Sequence, residues 1–328
     1  MTTLGLAHGG YVIPILGTLS HAGWDAESML VSVGLRPDIA EHPTQVIPHP
    51  LATRFIEKAS RILGDEDFAP LALSEARNLT AEMVPPRGAA SLSSPVQTLR
   101  GIVNMMNCTS TSATRLRETK SDVWIDLRWT QGESKPPWSA ELYVLHLMIS
   151  TLRNVLGSDW RPSQIKMLSG RRHRVDVSGL SDCQIQWQAE TISVAIVKDD
   201  LVRRLAPAHS PHTEGLEVSA QDLSEASAEA VRAAIEGLLC HESLKLSEVA
   251  DCFGLTQRSF QRRLVGLDLK FGDIVDDFRI TRAMRVLRQE YVSVTDLALN
   301  LGYDHPQNFA RAFRRRVGLS PRRYRNAL

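Results

Sequence analysis

The sequence predicts an α+β N-terminal domain followed by an all-α C-terminal domain built around two helix-turn-helix motifs. Three observations predict it. A stretch with two prolines, a glycine and small polar residues, 206–215, divides the chain. Before it, helical and strand-like periodicities both occur, and after it an eleven-residue unit is repeated among helical patterns. At 328 residues, the chain has room for two domains of roughly 100 to 200 residues each. The expected division is 1–205 for an effector-binding and dimerisation domain, 206–215 for a linker and 216–328 for the helical domain.

In the first domain, residues 11–33 and 50–63 carry apolar side chains at helical spacing, and 95–106 begins with Ser94 as N-cap and Pro95 at the first helical position. Strand-like alternation follows over 109–118 and 122–130, where Val123, Ile125, Leu127 and Trp129 share one face. Residues 138–156 return to helix, apolar almost all round. Three more strands are expected at 164–168, 183–188 and 193–197, giving helices with an antiparallel sheet.

After the linker, residues 224–240 form an amphipathic helix with Ala228, Val231, Ile235, Leu238 and Leu239 on one stripe. The repeat then pairs 246–256 with 294–304 at an offset of 48 residues, within motifs spanning about 246–266 and 294–318. In each copy a hydroxyl residue, Ser247 or Thr295, is placed to cap a helix whose next residue, Glu248 or Asp296, is acidic, which suits the positive end of the helix dipole. Gly254 and Gly302 end those helices. A second helix is expected from Thr256 in one copy and Asp304 in the other, anchored by Phe260 with Leu264 and by Phe309 with Phe313. That leaves Gln257, Arg258, Gln261 and Arg262 facing outward in the first copy, and Gln307, Asn308 and Arg311 in the second. Their hydrogen-bonding forks match base edges, Arg to guanine and Asn or Gln to adenine, so both helices read as DNA-contacting. Residues 271–288 form a single helix joining them, with Arg279, Arg282, Arg285 and Arg288 on its flanks.

Charge agrees with this division. Residues before 219 carry 21 basic and 23 acidic side chains, those from 219 onward 17 and 14, and 305–328 holds seven arginines with no acid. A localised positive field of this kind suits a polyanion, and Arg315 is expected to meet a phosphate.

These residues resemble the AraC/XylS family of bacterial transcription regulators. The resemblance rests on 295–325, with its Gly302, Phe309, Phe313, Gly318, Pro321 and Tyr324, and on the weaker motif at 246–266. It implies base-edge or groove contacts for Gln261, Arg262, Gln307, Asn308 and Arg311, and structural roles for the glycines and aromatics. Pro306 stands where a small polar residue is usual. The N-terminal part is similar to the ornithine-utilisation-regulator-like group, whose domain is labelled arabinose-binding, through Gly34-Leu-Arg-Pro, Leu63-Gly-Asp-Glu-Asp-Phe and Ser93-Ser-Pro.

The reading that follows is a one-component regulator, not an enzyme: a cytoplasmic homodimer that binds promoter DNA, recruits RNA polymerase as an activator and responds to a small-molecule effector. No signal segment, membrane span, metal site or cofactor is expected. Cys108, Cys183, Cys240 and Cys252 are scattered without metal or disulfide spacing. Trp124, Trp129, Trp138, Trp160 and Trp187 are candidate pocket walls or plain core, and the basic run 171–174 could meet an anionic effector or lie in a solvated loop. The alternatives are a DNA-binding domain fused to an alkyl-transfer enzyme with a nucleophilic cysteine, and an effector-independent regulator.

Overall fold

The computed structural model describes residues 4–64, 68, 95–109, 113–129, 135–170, 180, 183–204, 227–239, 245–289 and 292–326. The expected linker 206–215, the basic run 171–174, Ser94 and the neighbourhood of Cys240 lie outside the described residues. The chain forms two compact units that divide between Ala230 and Val231.

The first unit is α+β. A two-stranded antiparallel ribbon, β1 (Leu6–His8) and β2 (Val46–Pro48), brackets the helices α1 (Ile13–His21) and α2 (Ala26–Ser32). The helical run expected over 11–33 is therefore two helices. Gly23 takes φ +81°, a conformation that only glycine adopts cheaply, and the Asp25 carboxylate accepts from the Ser28 amide at 3.0 Å to start the second. Helix α3 (His49–Leu63) buries Leu51, Ala52, Phe55, Ile56 and Ala59 along one stripe and stops at Gly64, φ +88°. Helix α4 (Pro95–Thr109) follows, so Thr109 closes a helix where the alternation suggested a strand start. Its Asn107 side chain exchanges two hydrogen bonds, 2.9 and 2.8 Å, with the backbone of Thr114 and thereby starts the next strand.

The main sheet holds β3 (Ala113–Glu118), β4 (Asp122–Arg128), β5 (Gln164–Lys166), β6 (Gln184–Gln186) and β7 (Ile192–Val197) in the order β3-β4-β7-β5-β6. It is mixed, because β5 and β6 run parallel while the other pairings are antiparallel as expected. Val123, Ile125 and Leu127 are buried on the predicted face. On the other face the Trp124 ring has the Arg117 guanidinium 4.9 Å and the Lys166 ammonium 4.8 Å from its centroid, so long cationic side chains cover it.

Helix α5 (Trp138–Leu156) is buried nearly all round, as its composition requires, and burying each leucine-sized side chain contributes about 1.5 to 3 kcal/mol. Two polar groups inside it are satisfied by distant chain. Glu141, fully buried, accepts from the Leu168 amide at 2.5 Å and from the Ser169 hydroxyl, while the Tyr143 hydroxyl donates to the Tyr11 carbonyl at 2.8 Å. Helix α6 (Lys198–Arg204) ends in Arg204, which grips Asp159 at 2.9 Å and the Leu156 carbonyl at 3.1 Å.

The second unit is helical: α7 (Ala228–Leu239, shared across the division), α8 (Leu246–Cys252), α9 (Gln257–Val265), α10 (Phe271–Gln289), α11 (Val294–Asn300), α12 (Pro306–Val317) and α13 (Pro321–Asn326). The second half of α10 supplies Ile280, Ala283 and Leu287 to one core with Leu297, Ala298, Leu301, Phe309, Ala312 and Phe313. Among the described residues no helix is long and apolar enough to cross a membrane, and no group of three or more His, Cys, Asp or Glu is placed to hold a metal ion.

Candidate nucleic-acid interface

Each helix-turn-helix is built by the same local chemistry. In the first, the Lys245 amide donates to the Glu248 carboxylate at 2.5 Å, and in the second the Ser293 hydroxyl accepts from the Asp296 amide at 3.0 Å and donates to its carboxylate at 2.6 Å. The caps thus lie two residues before Ser247 and Thr295, which fall inside the helices. An acidic residue reaching back from the third helical position outweighs a hydroxyl nearer to it. Both helices end in the same turn: Gly254, φ +65°, and Gly302, φ +77°, let the following amides, Leu255 and Tyr303, reach back to Ala250 and Ala298 carbonyls, both at 3.0 Å.

There the copies diverge. Thr256 caps α9 by accepting from the Ser259 amide at 3.3 Å, as expected, whereas α12 opens one residue later than its counterpart, with His305 rather than Asp304 at the cap. Pro306 at the first helical position has no N–H to satisfy, which lowers the cost of a cap without a side-chain acceptor. The offset between copies is therefore 48 residues through the glycine and 49 beyond it, and Arg262 corresponds to Arg311, Arg258 to Gln307, and Gln261 to Ala310.

The anchors are buried as their spacing implies. Phe260 stacks on Phe253 with centroids 5.0 Å apart, and Phe313 meets Phe309 and Tyr324 edge-on at 5.6 and 5.5 Å. With those sides fixed inward, Gln257, Arg258, Gln261 and Arg262 are exposed on α9, and Gln307, Asn308, Arg311 and Arg315 are exposed on α12. Neither helix carries an acidic residue. Two of the second set are engaged with neighbours. Arg311 donates to the Asn308 side-chain oxygen at 2.7 Å, one helical turn back, and Arg315 donates to Asp276 of α10 at 2.8 Å.

Asp276 belongs to a group that composition did not reveal. Asp273, Asp276 and Asp277 lie on one side of the first half of α10. Arg316 reaches Asp277 at 3.0 Å and Asp273 at 3.5 Å, and Arg232 of α7 takes the other Asp277 oxygen at 3.0 Å. Tyr303, in the second turn, donates to Asp276 at 3.4 Å with the Arg279 guanidinium 5.0 Å from its ring centroid. Burial, helped by the Asp276 charge, pushes the Tyr303 hydroxyl up to about 12. The aspartate spacing of three and four residues was visible in the sequence, but its partners come from elements far along the chain.

In the first unit, Tyr11, His49, Tyr143, Trp129 and Phe68 form a chain of ring contacts, with His49 edge-on to Trp129 at 4.9 Å and Tyr11 edge-on to Tyr143 at 5.6 Å. Burial holds His49 and His146 down to about 4 and pushes the Cys183 thiol up to about 11. A thiol so disfavoured as thiolate is a poor nucleophile. Trp160 is fully buried, and Trp138 packs beside Trp187 at 6.2 Å.

Residues 23–205 match the family described as the arabinose-binding domain of AraC transcription regulator, N-terminal, and 249–327 match a helix-turn-helix domain family. The chain is 35% identical over 94 residues to the HTH-type transcriptional activator AarP of Providencia stuartii, a stretch covering 28% of this chain and 67% of that protein. It is 34% identical over 77 residues to the HTH-type transcriptional regulator VirS of Mycobacterium tuberculosis, covering 24% of this chain and 23% of that one. Over 70 residues it is 36% identical to the ornithine utilization regulator of Pseudomonas aeruginosa, covering 21% of each. The match thus spans about a quarter or less of the last two. Among solved structures, the transcriptional regulator CdpR from Pseudomonas aeruginosa aligns over 95% of this chain and 96% of its own at 18% identity, TM-score 0.35. The DNA-binding domain of the global transcriptional factor AdpA, solved with a target DNA, aligns over 30% of this chain and 89% of its own at 30% identity, TM-score 0.26.

Proposed function

Because the chain belongs to the AraC family of transcription regulators, we propose that it reads an asymmetric promoter site in duplex DNA with two helices, α9 and α12, in successive major grooves. The observation that carries this reading is the pair of exposed, acid-free faces that the buried aromatic anchors hold outward. Gln257, Arg258, Gln261 and Arg262 contact bases or groove edges in one half-site, and Gln307, Asn308 and Arg311 do so in the other, with the exposed Arg314, Arg322 and Arg323 adding positive field. Helix α10, 19 residues or about 28 Å long, joins the two motifs, and engaging successive major grooves requires the readers to sit about 34 to 36 Å apart. Residues 1–205 form the regulatory domain, which takes a small-molecule effector and supplies the dimer contact, with 206–215 as the hinge. The output is activation through RNA polymerase in the cytoplasm, and similarity to AarP, a transcriptional activator, favours that sign.

Burial of Cys183 opposes the thiolate that alkyl transfer needs, which disfavours it as the nucleophile of the enzymatic alternative. Selection from a random-sequence duplex pool with the full chain tests the proposal. A two-part sequence should emerge, with half-sites centred about one turn apart. A pool that yields no sequence preference removes base reading.

A further inference from the structure

The three aspartates on α10 meet cations from the helix before the repeat, α7, and from the second reading helix, α12. Asp277 accepts Arg232, on the helix preceding the first motif, with one oxygen and Arg316, at the end of the second reading helix, with the other. Asp276 accepts Arg315 from that same helix end and the Tyr303 hydroxyl from the second turn. We infer that Asp273, Asp276 and Asp277 are a positioning device that fixes the second reading helix against α10, the helix that follows the first motif, and so sets the half-site spacing the chain accepts.

This rests on the proposal that α9 and α12 both read DNA. Three physical points carry it. The side chains are partly solvated, Arg315 being 65% exposed, so each pair contributes little to folding. Their value lies in geometry: Asp277 ties two helices to a third, and Asp276 ties a helix end and a turn, so sliding or rocking α12 along α10 breaks several contacts together. Finally, Arg315 continues the stripe of Arg311 by one turn yet is held by a carboxylate, which assigns it to the clamp rather than to a phosphate.

The test uses the full chain and the duplex recovered by selection, together with versions in which one base pair is inserted or removed between the half-sites, and measures affinity by fluorescence anisotropy. For the unaltered chain a one-base-pair change should weaken binding at least about tenfold, the scale of losing a good base contact. In Asp276→Asn/Asp277→Asn, and separately in Arg315→Ala, that penalty should fall to about threefold or less, while base preference inside each half-site persists. The Arg315 variant removes a mostly exposed side chain and so reports even if the aspartate variant folds poorly.

Two results overturn the inference while leaving DNA reading intact. In one, both variants keep the original spacing penalty. In the other, Asp276→Asn tightens binding to every duplex and Arg315→Ala weakens every duplex with a salt slope smaller by about one unit, the behaviour of a phosphate contact. A pool that yields no preferred sequence overturns the inference and the reading together.

Discussion

Replacing Arg311 and Asn308 by alanine, singly and together, probes how the second reading helix recognises a base. Arg311 donates to the Asn308 oxygen at 2.7 Å on an exposed face. In the free protein such a surface contact stabilises by at most about 1 kcal/mol, so the melts of all three variants should stay near that of the original chain. On DNA the balance differs, because an arginine fork on guanine contributes about 1 to 3 kcal/mol, or roughly 5- to 150-fold in affinity. Asn308→Ala should cost part of that as well, since the guanidinium loses the acceptor that orients it. The double variant should then weaken binding by less than the sum of the single losses, with a coupling of about 0.5 to 1 kcal/mol. The assay is anisotropy against the selected duplex and all single-base variants of its second half-site, paired with thermal melts. Alanine at 308 should flatten preference at the base pair that Arg311 reads. Additive losses at separate base pairs would show that Asn308 reads on its own. Lost stability with retained base preference would mean that the face presented to DNA has been wrongly assigned.

Phe313→Ala should cost about 3 to 5 kcal/mol, because the ring is fully buried between Phe309 and Tyr324; denaturant melts should show this, with second half-site binding lost for every base variant. His49 and His146, held near 4 against an ordinary 6.5, stay neutral when folded while the unfolded chain takes up protons, so their stabilising effect is complete above about pH 6.5 and lost as pH falls toward 4. Each contributes up to about 3 kcal/mol over the whole window and about 2 kcal/mol between pH 7.5 and 5, which urea melts at those two pH values should show, and a double His→Gln variant that keeps the full pH dependence would reject the assignment. A fragment of residues 1–208 should sediment as a dimer and 213–328 as a monomer, and the reverse distribution would move the dimer contact to the helical unit.

What could be read in the sequence follows element size. Helices α3, α5 and α10 and the strands β3, β4 and β7 carry enough residues for periodicity to identify them. The strands β1 and β2, three residues each, are too short to show alternation, whereas β5 and β6 fall inside the expected strands 164–168 and 183–188 but are too short to reveal that they run parallel. At the interface, the anchors and the exposed reading residues were legible because Phe260, Leu264, Phe309 and Phe313 fix the helical phase. The caps were displaced because Ser293 and Thr295 are both plausible, and only the reach of Asp296 decides between them. The aspartate clamp was not legible: charge spacing on α10 names a face, but Arg232, Arg315 and Arg316 become its partners only after the chain has folded back on itself.

The single residue added to the second turn makes the two readers inequivalent, since the same depth in the helix holds Gln261 in one and Ala310 in the other. A chain whose two readers differ cannot exchange one half-site for the other. This one has a front and a back. On the proposed reading a bound copy is directional, so the order of its half-sites, as much as their sequence, determines which neighbouring gene it faces.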